Sequence, residues 1–488
     1  MPRRDVIESS SGEAGLARVL GPGMATALVV GNVIGAGIFL KPGEAAEQAG
    51  TVPVALAAWA AGGVLCLLGA LTVAELALRL PQAGGLYVYL REAFGRPVGF
   101  LFGWSEFVFG VPASIGALAA GVAGMIGAVA DMAFNVWLEA VFAVLLIAIL
   151  CAVNVAGVVW GGRTQFATTI VKCLFLAGLA ALPVVLTIWG YEGIDVRHFA
   201  DRVTPAAGND ASLPVRFSGA LLAVLWAYSG WHVVAPVAEE IKSPGRNIPI
   251  ALVGGGLLLT ALYLAVVLAY HGTLSMEAIR DAGIRLPQAM TDRLLTPFGE
   301  TVAAAAVTGI SLAAIVSMAG SLNANLIGGP RVGFAMARDR VFPRMLAAVH
   351  PRYRTPATAI IAQSSMSVLL VILSAALVAS FERFHTQTVF ELLSNYVTFI
   401  ATIFLTLAVA AIFPIRKRMG RAAGYATPFY PWAPLIYVAA SVLFIGYILV
   451  GKPAETITGI ALTLAGLPVY WWMMRRRSLP RPSTANGD

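Results

Sequence analysis

Charged residues are scarce in this sequence. Only 12% of its 488 residues are Asp, Glu, Lys or Arg, about half the share found in ordinary soluble domains. Hydrophobic residues make up 58% of the chain, and the mean hydropathy is +0.81. This composition excludes a soluble globular protein. Because long apolar runs recur throughout the chain, it predicts an all-α integral membrane protein.

Cysteine and histidine are also scarce, with three and five residues respectively. Cys66, Cys151 and Cys173 all lie inside apolar runs, where we expect them to pack as small hydrophobic side chains rather than form disulfides or bind a metal. The sequence has no Ser–His, paired-Asp or His-Glu-x-x-His arrangement at a spacing that an intramembrane hydrolase needs. We therefore predict no metal site, no cofactor and no enzymatic activity.

Apolar runs long enough to cross a bilayer occur from one end of the chain to the other. A spanning helix needs about 20 such residues, and by this measure we predict 12 transmembrane helices. Their approximate ranges are 24–50, 53–78, 98–127, 138–157, 164–190, 217–238, 248–271, 300–328, 356–380, 387–413, 431–451 and 455–474.

The basic residues are distributed unevenly among the predicted loops. With a cytoplasmic N-terminus, 23 of the 33 lysines and arginines lie in loops and tails on the cytoplasmic side. Membrane proteins carry this excess on that side, which accounts for the net charge of +8 without nucleic-acid binding. We predict cytoplasmic N- and C-termini, contact with membrane lipid and no nucleic-acid partner. We also expect residues 328–339 to form a basic amphipathic segment between spans eight and nine.

The first predicted span contains an interruption. It reads Gly31-Asn-Val-Ile-Gly-Ala-Gly-Ile-Phe-Leu-Lys-Pro42. Gly35 and Gly37 are poor helix formers at mid-span, where lipid offers the backbone no other hydrogen-bond partner. We interpret them as a break in the helix, whose freed amides bind a carboxylate. The alternative is close packing of a continuous helix through its small residues.

A second interruption lies in the sixth predicted span, within Leu225-Trp-Ala-Tyr-Ser-Gly-Trp-His232. It lies five spans after the first interruption. Because five is an odd number, two five-span units would be inverted relative to each other. Paired interruptions in inverted halves point to a midplane binding site in a transporter. Amides suit a carboxylate and free carbonyls suit an ammonium group, so the pair predicts a free α-amino acid as substrate. Two unrelated clusters of packing glycines are the alternative.

An ordered series of motifs resembles the amino acid–polyamine–organocation (APC) family of transporters over nearly the whole chain. The motifs are Gly31-Asn-Val-Ile-Gly-Ala-Gly-Ile-Phe39, Ala74-Glu-Leu76, Pro81-x-Ala-Gly-Gly-x-Tyr-x-Tyr-Leu90, Trp226-Ala-Tyr-Ser-Gly-Trp231, Glu239-Glu-Ile-Lys-x-Pro-x-Arg-Asn-Ile-Pro249, Ala335-Met-Ala-Arg-Asp339 and Thr355-Pro356. The resemblance implies a five-plus-five inverted repeat with discontinuous helices 1 and 6 and two further helices. The expected divisions are a tail at 1–20, repeats at 21–190 and 191–414, the last two helices at 415–475 and a tail at 476–488.

The resemblance also implies which residues hold the substrate. Its carboxylate would meet the amides of Gly35, Ala36 and Gly37, and its ammonium group the carbonyls of Val33, Trp226 and Ser229. Trp226 stands where members of the family carry an aromatic lid over the substrate, between the site and the outside; interfacial or core packing of an aromatic residue is the alternative. The full predicted substrate-binding set is Val33, Ile34, Gly35, Ala36, Gly37, Trp226, Ala227, Ser229 and Gly230.

Two charged residues at membrane depth are candidates for ion coupling. In similar family members a lysine at the position of Lys172 takes the place of a sodium ion and touches the first helix, so we expect sodium independence. Lys172 serves either proton coupling or structural charge compensation. Glu106 serves as a proton relay, as a partner of a basic group, or only as a residue near the mouth. Glu75 and Glu391 lie nearer span ends, and we expect both to be solvated.

We therefore predict a sodium-independent secondary active amino acid transporter of the plasma membrane, working by alternating access as an exchanger or a proton symporter. The small residues Ala36, Ser229 and Gly230 favour neutral L-amino acids. The alternatives are a non-transporting amino acid sensor on the same fold and a carrier of polyamines or basic amino acids. The loop Ala128–Trp137 contains no cysteine, so we expect no disulfide-linked heavy subunit.

Overall fold

The computed structural model describes residues 16–132, 134–208, 211–381, 389, 398–421, 424–451 and 453–478. Within these ranges the chain forms helices and no β-strand, apart from two isolated backbone bridges. Most of both predicted tails and Glu391 lie outside the described residues. The α-helices are α1 (Pro22–Val33), α2 (Gly37–Ala49), α3 (Val52–Arg79), α4 (Leu86–Phe94), α5 (Arg96–Trp104), α6 (Val111–Val129), α7 (Val136–Val155), α8 (Val158–Ile188), α9 (Leu213–Ala227), α10 (Pro244–Pro249), α11 (Gly255–Thr273), α12 (Met276–Ala282), α13 (Leu286–Leu295), α14 (Glu300–Gly328), α15 (Pro330–Arg338), α16 (Ala357–Ser380), α17 (Thr398–Ala410), α18 (Ile412–Met419), α19 (Trp432–Gly451), α20 (Pro453–Leu464) and α21 (Gly466–Ser478).

Ten helical stretches in the described part of the chain are long and apolar enough to cross a membrane, or eleven if the bent pair of α1 and α2 counts as one span. Several agree closely with the predicted spans; for example, Val52–Arg79 matches the span predicted near 53–78. The span predicted near 387–413 lies partly outside the described residues. The chain is thus an all-helical, multi-pass membrane protein. The total of 12 helices and the inverted repeat stay predictions.

The two halves of the interrupted first span are enclosed by other helices. α1 packs against α8, α11 and α14, and α2 packs against α9 and α12. By contrast, α7 and α8 expose large apolar side chains such as Ile149 and Leu174. Exposed apolar surface of this extent is expected to face lipid. The interrupted span therefore lies in the protein interior, and α7 and α8 lie at its periphery.

Ion pairs that involve α4, α15 and the stretch after α9 lie at one end of the helical bundle, which we call the basic end. Arg91 of α4 pairs there with Asp339, and the Tyr87 hydroxyl donates to the same carboxylate at 2.7 Å. Arg338 of α15 pairs with Glu239 at 2.8 Å. The other end, where Thr51 bridges to Arg202, is called the opposite end.

The expectation that Glu75 is solvated was wrong. Its side chain is fully buried at the basic end, where it accepts hydrogen bonds from Arg79 Nε at 2.7 Å and Arg416 Nε at 2.9 Å. The backbone N–H and hydroxyl of Thr427 donate to it at 2.7 and 2.8 Å. The connection after α18 folds over the end of α3 and excludes water from the carboxylate. Position near a span end was therefore a poor guide to its exposure.

The segment predicted to be a basic amphipathic stretch is largely buried. It forms the end of α14 and α15, in which Pro330 to Ala337 are buried. Arg331 Nε and Nη2 donate to the two carboxylate oxygens of Glu240 at 2.8 and 3.1 Å, and both side chains are almost fully buried. The two-pronged contact neutralises both charges and ties α15 to the stretch that follows α9.

We predict that Glu240→Gln destabilises the protein strongly, since it leaves the Arg331 charge buried without its counter-ion. Removing one partner of a buried pair costs about 3–5 kcal/mol. The measurement is the thermal unfolding temperature of the detergent-purified protein. The double variant Glu240→Gln/Arg331→Met removes the stranded charge and should recover part of the loss.

The control is Arg338→Met, which breaks a pair whose side chains are 51% and 23% exposed. Pairs of that kind contribute about 1 kcal/mol or less. Equal destabilisation by Arg338→Met and Glu240→Gln would contradict the assignment of the buried pair as the stabilising contact.

Candidate functional site

The first span is interrupted at the predicted place. α1 ends at Val33, α2 begins at Gly37, and their axes differ by 43°. A Cβ on Gly37 would lie 2.7 Å from Ala227 Cα, so this position accepts only glycine without displacing the backbone of α9. The glycines are therefore consistent with both features that the sequence suggested, because they lie at a break in the helix and also permit close contact between α2 and α9.

The break leaves amide groups at the start of α2 without backbone acceptors. Within the described residues, the N–H groups of Ala36, Gly37 and Ile38 donate to no backbone carbonyl, whereas Leu40 N donates to Ala36 O at 3.1 Å. No side chain caps this helix end. Free amides and the positive end of the helix dipole together favour an anionic group at this position.

The second interruption also lies where it was predicted. α9 ends at Ala227, and the chain turns through Gly230, whose φ of +96° lies in the left-handed region. A 3₁₀ segment, Trp231–Glu240, then continues toward the basic end. Ser229 N donates to Trp226 O at 3.1 Å within the turn.

Two side chains connect the breaks to each other. Asn32 Nδ2 donates to Gly230 O at 3.0 Å, and the Tyr263 hydroxyl donates to Val33 O at 2.9 Å and lies 3.4 Å from Ala227 O. Sequence reasoning missed both residues. Asn32 was visible inside the first motif, but nothing in the sequence indicated that its side chain would reach the second break.

The carbonyls predicted to hold an ammonium group differ in availability. Val33 O already accepts from the Tyr263 hydroxyl at 2.9 Å and from Gly35 N at 2.7 Å, and Trp226 O accepts from Ser229 N. A carbonyl oxygen has two lone pairs, so both acceptor positions of Val33 O are already occupied within the protein. Ser229 is exposed to the cavity, and within the described residues its carbonyl accepts no hydrogen bond from the protein backbone.

Lys172 lies against the end of α1. Its side chain is buried, and Nζ donates to Gly31 O at 2.5 Å, Ile34 O at 2.7 Å and Ser321 Oγ at 3.0 Å. These three acceptors match the three N–H bonds of an ammonium group. A cation at the carbonyl end of a helix is also favoured by the helix dipole. The lysine therefore faces the break rather than extending to the membrane surface.

Hydroxyl groups of α14 complete this carbonyl cluster. Ser317 Oγ donates to Ile34 O at 2.9 Å, and Ser321 Oγ contacts Gly31 O at 3.0 Å. The two serines are four residues apart, on one face of α14, and that spacing was a sequence signal that went unused. Ile34 belongs to this cluster through its carbonyl.

A cavity of about 280 Å³ contains both breaks. Of the nine predicted substrate-binding residues, only Ile34 is absent from its described lining. The eight that line the cavity are Val33, Gly35, Ala36, Gly37, Trp226, Ala227, Ser229 and Gly230. The lining continues along the third span from Leu118 past Ser114 to Phe102, and along the 3₁₀ segment to Pro236. The cavity therefore leads from the breaks toward the basic end.

Glu106 lines the same cavity but far from the first break. Glu106 lies in the π-helical turn Ser105–Gly110. On the same span, Leu118 packs in one cluster with Ala36 of the first break and lies 12 residues after Glu106. At 1.5 Å per residue this separation is about 18 Å along the span. Among the described lining residues Glu106 alone carries a formal charge. Its position favours the prediction of a residue near the cavity mouth over a residue in the central site.

Known proteins resemble this chain over almost its full length. The family described as "Amino acid permease" matches residues 20–474. The serine/threonine exchanger SteT of Bacillus subtilis (strain 168) is 33% identical, over 95% of this chain and 98% of that protein. Asc-type amino acid transporter 1 of Mus musculus is 26% identical, over 97% and 84%. The cystine/glutamate transporter of Homo sapiens is 25% identical, over 93% and 85%.

These matches confirm the family that the sequence motifs indicated. These relatives are transporters, and their names describe the exchange or transport of amino acids. The chain belongs to the amino acid permease family of the APC superfamily, a family of transporters rather than enzymes.

Proposed function

We propose that this protein is a secondary active transporter of amino acids, and that the two broken spans form its substrate site. The observation that carries the proposal is the donor-rich start of α2. Three amides there are free of backbone acceptors and lie beside a cavity lined by Gly35, Ala36 and Gly37. The substrate carboxylate binds these amides, and the α-ammonium group binds the carbonyls of Ser229 and Trp226.

The proposed substrates are neutral L-amino acids. The central part of the cavity offers small and uncharged groups, including Ala36, Ser229 and Gly230, and Glu106 is too distant to pair with a substrate side chain held there. The names of SteT and the Asc-type transporter are compatible with this class, since the former is a serine/threonine exchanger. Polyamines and basic amino acids are less suited, because the described lining offers them no carboxylate close to the breaks.

Transport is proposed to be independent of sodium. The ammonium group of Lys172 contacts the carbonyls of Gly31 and Ile34 and the hydroxyl of Ser321, which are the oxygen ligands that a sodium ion needs. A permanent internal cation removes the need for an external one. Whether the cycle is exchange or proton symport then depends on Lys172 and on Glu106, the two coupling candidates.

We propose that the protein lies in the cell membrane with its basic end on the cytoplasmic side, because Arg and Lys are in excess on that side of membrane proteins. The cavity leads toward that end, so the conformation is one that releases or accepts substrate on the cytoplasmic side. Alternating access would then close the basic end and part α2 from α9. We propose 12 spans with a five-plus-five inverted repeat and activity without a disulfide-linked heavy subunit.

Counterflow in proteoliposomes tests the proposed function. Vesicles loaded with an unlabelled neutral amino acid should accumulate the same amino acid in labelled form, in sodium-free buffer, well above the level in empty vesicles. Adding a pH gradient to vesicles without internal substrate separates the mechanisms, because a proton symporter concentrates label and an exchanger does not. Binding without any counterflow would instead identify an amino acid sensor, and counterflow restricted to arginine or polyamines would overturn the proposed substrate class.

We predict that Gly37→Leu abolishes this transport, lowering uptake by at least about tenfold. The new side chain meets the backbone of Ala227, and overpacking of a tight contact is costly. Gly124→Leu is the matched control, because a Cβ there meets no atom within 4 Å. Both variants should insert into the membrane at equal levels. Wild-type uptake by Gly37→Leu would count against the first break as the site.

We also predict that Lys172→Met lowers the maximal exchange rate by about 10- to 100-fold. The substitution removes the charged donor from the carbonyls of Gly31 and Ile34 and leaves them only the hydroxyls of Ser317 and Ser321. A hydrogen bond to a charged group contributes about 1.5–3 kcal/mol. Cys173→Ser, at the adjacent partly buried position, should retain activity and serves as the control. A Lys172→Met protein that exchanges normally in sodium-free buffer would contradict the proposed role of the lysine.

A further inference from the structure

Between the cavity and the opposite end, α2 and α9 are in close contact along their length. At the cavity, Gly37 lies against Ala227. Further out, a Cβ on Gly219 would meet Gln48 Oε1 at 2.5 Å, and Arg216 Nε donates to Ala49 O at 2.8 Å. Among the described residues, the cavity lining includes none from α2 beyond Gly37 and none from α9 before Leu225. These two helices therefore separate the cavity from the opposite end.

Trp226 lies where this separation begins. It belongs to the last turn of α9, lines the cavity and precedes Ala227, the residue against which Gly37 packs. The indole ring therefore lies at the boundary between the cavity and the contact of α2 with α9.

Lys41 of α2 contacts the ring from outside the cavity lining. Its Nζ lies 4.8 Å from the centroid of the Trp226 ring, within the range of a cation–π interaction. The same ammonium group pairs with Glu44, one turn further along α2. The Lys41 side chain is only 21% exposed, and limited exposure to water strengthens the attraction between a cation and an aromatic face.

We propose that Lys41 is a positioning residue that holds Trp226 as a lid over the cavity and so stabilises the state closed at the opposite end. This proposal rests on the proposed transport function for its meaning, because a lid matters only if substrate passes it. The interaction joins one half-helix from each broken span. Opening toward the opposite end separates α2 from α9, and the separation breaks the contact between the ammonium group and the ring.

Accessibility of the α2–α9 contact tests the lid without any transport measurement. Ala223 is buried on α9, one turn before Ala227. In a background with Cys66, Cys151 and Cys173 replaced by serine, Ala223→Cys should react slowly with a membrane-impermeant maleimide added at the opposite face. Adding Lys41→Met should raise the labelling rate about 3- to 10-fold. Lys41→Gln, a second uncharged variant, should behave as Lys41→Met does.

Lys41→Arg is the matched control, because it keeps a cation that can stack on the ring and should retain slow labelling. Equal labelling rates in Lys41→Met and the parent would overturn the proposal. Fast labelling in Lys41→Arg would overturn it as well, since it would assign the effect to packing of the lysine stem rather than to its charge.

Transport supplies a second readout. Weakening the closed state raises the population open to the opposite face, so the half-saturation concentration measured from that face should fall. The half-saturation concentration measured from the basic face should rise, and their ratio should change about 3- to 10-fold in Lys41→Met. An unchanged ratio would contradict the lid. If wild-type protein shows no counterflow while the labelling rates change as expected, the lid stands and the proposed transport function fails.

Discussion

Inside a membrane, a peptide group released from a helix finds no water to bind, and this constraint governs the centre of the structure. The break after α1 releases both carbonyls and amides. The carbonyls of Gly31 and Ile34 receive donors from Lys172, Ser317 and Ser321. In the described part of the chain, the amides at the start of α2 receive no backbone acceptor. The protein thus compensates the carbonyl side of the break and leaves free amides on the other side, an arrangement that favours an anionic group.

The two breaks behave as one unit because side chains connect them directly. Asn32 of the first span binds the carbonyl of Gly230 in the second, and Tyr263 lies between Val33 and Ala227. Movement of either break changes the distances in these bonds. A displacement of one interrupted helix is therefore transmitted to the other directly through these hydrogen bonds.

The sequence predicted the positions of both breaks well because poor helix formers at mid-span are a local signal. Gly35, Gly37 and Gly230 reveal the breaks by their own conformational preferences. The partners of the broken backbone were harder to predict, because Tyr263, Ser317 and Ser321 come from distant helices whose packing no local pattern encodes. Lys172 was recognised because a charge is conspicuous at membrane depth and because similar family members carry a lysine at this position.

The same contrast between local sequence patterns and packing between distant segments explains where the structure differs from the sequence-based expectations. Glu75 was expected to be solvated because it lies near a span end, and residues 328–339, which include Arg331, were expected to form a basic amphipathic segment. Instead, the connection after α18 covers Glu75, and Glu240 neutralises Arg331 inside the protein. Exposure at the end of a span depends on which loop folds over it, and this information is not contained in the apolar run itself.

The π-helical turn at Ser105–Gly110 has a further consequence for the third span. A turn of this kind holds one residue more than a regular α-helical turn, and each residue advances an α-helix by about 100°. In a regular helix two residues twelve apart, such as Phe102 and Ser114, lie about 120° apart around the axis. The turn absorbs one residue, so that both side chains line the cavity. An evolutionary loss of that residue would restore a regular helix and keep both residues on one face, about 20° apart. Conversion of the turn into a regular helix of the same length would instead rotate one half of the wall away from the cavity, without altering a residue at either break.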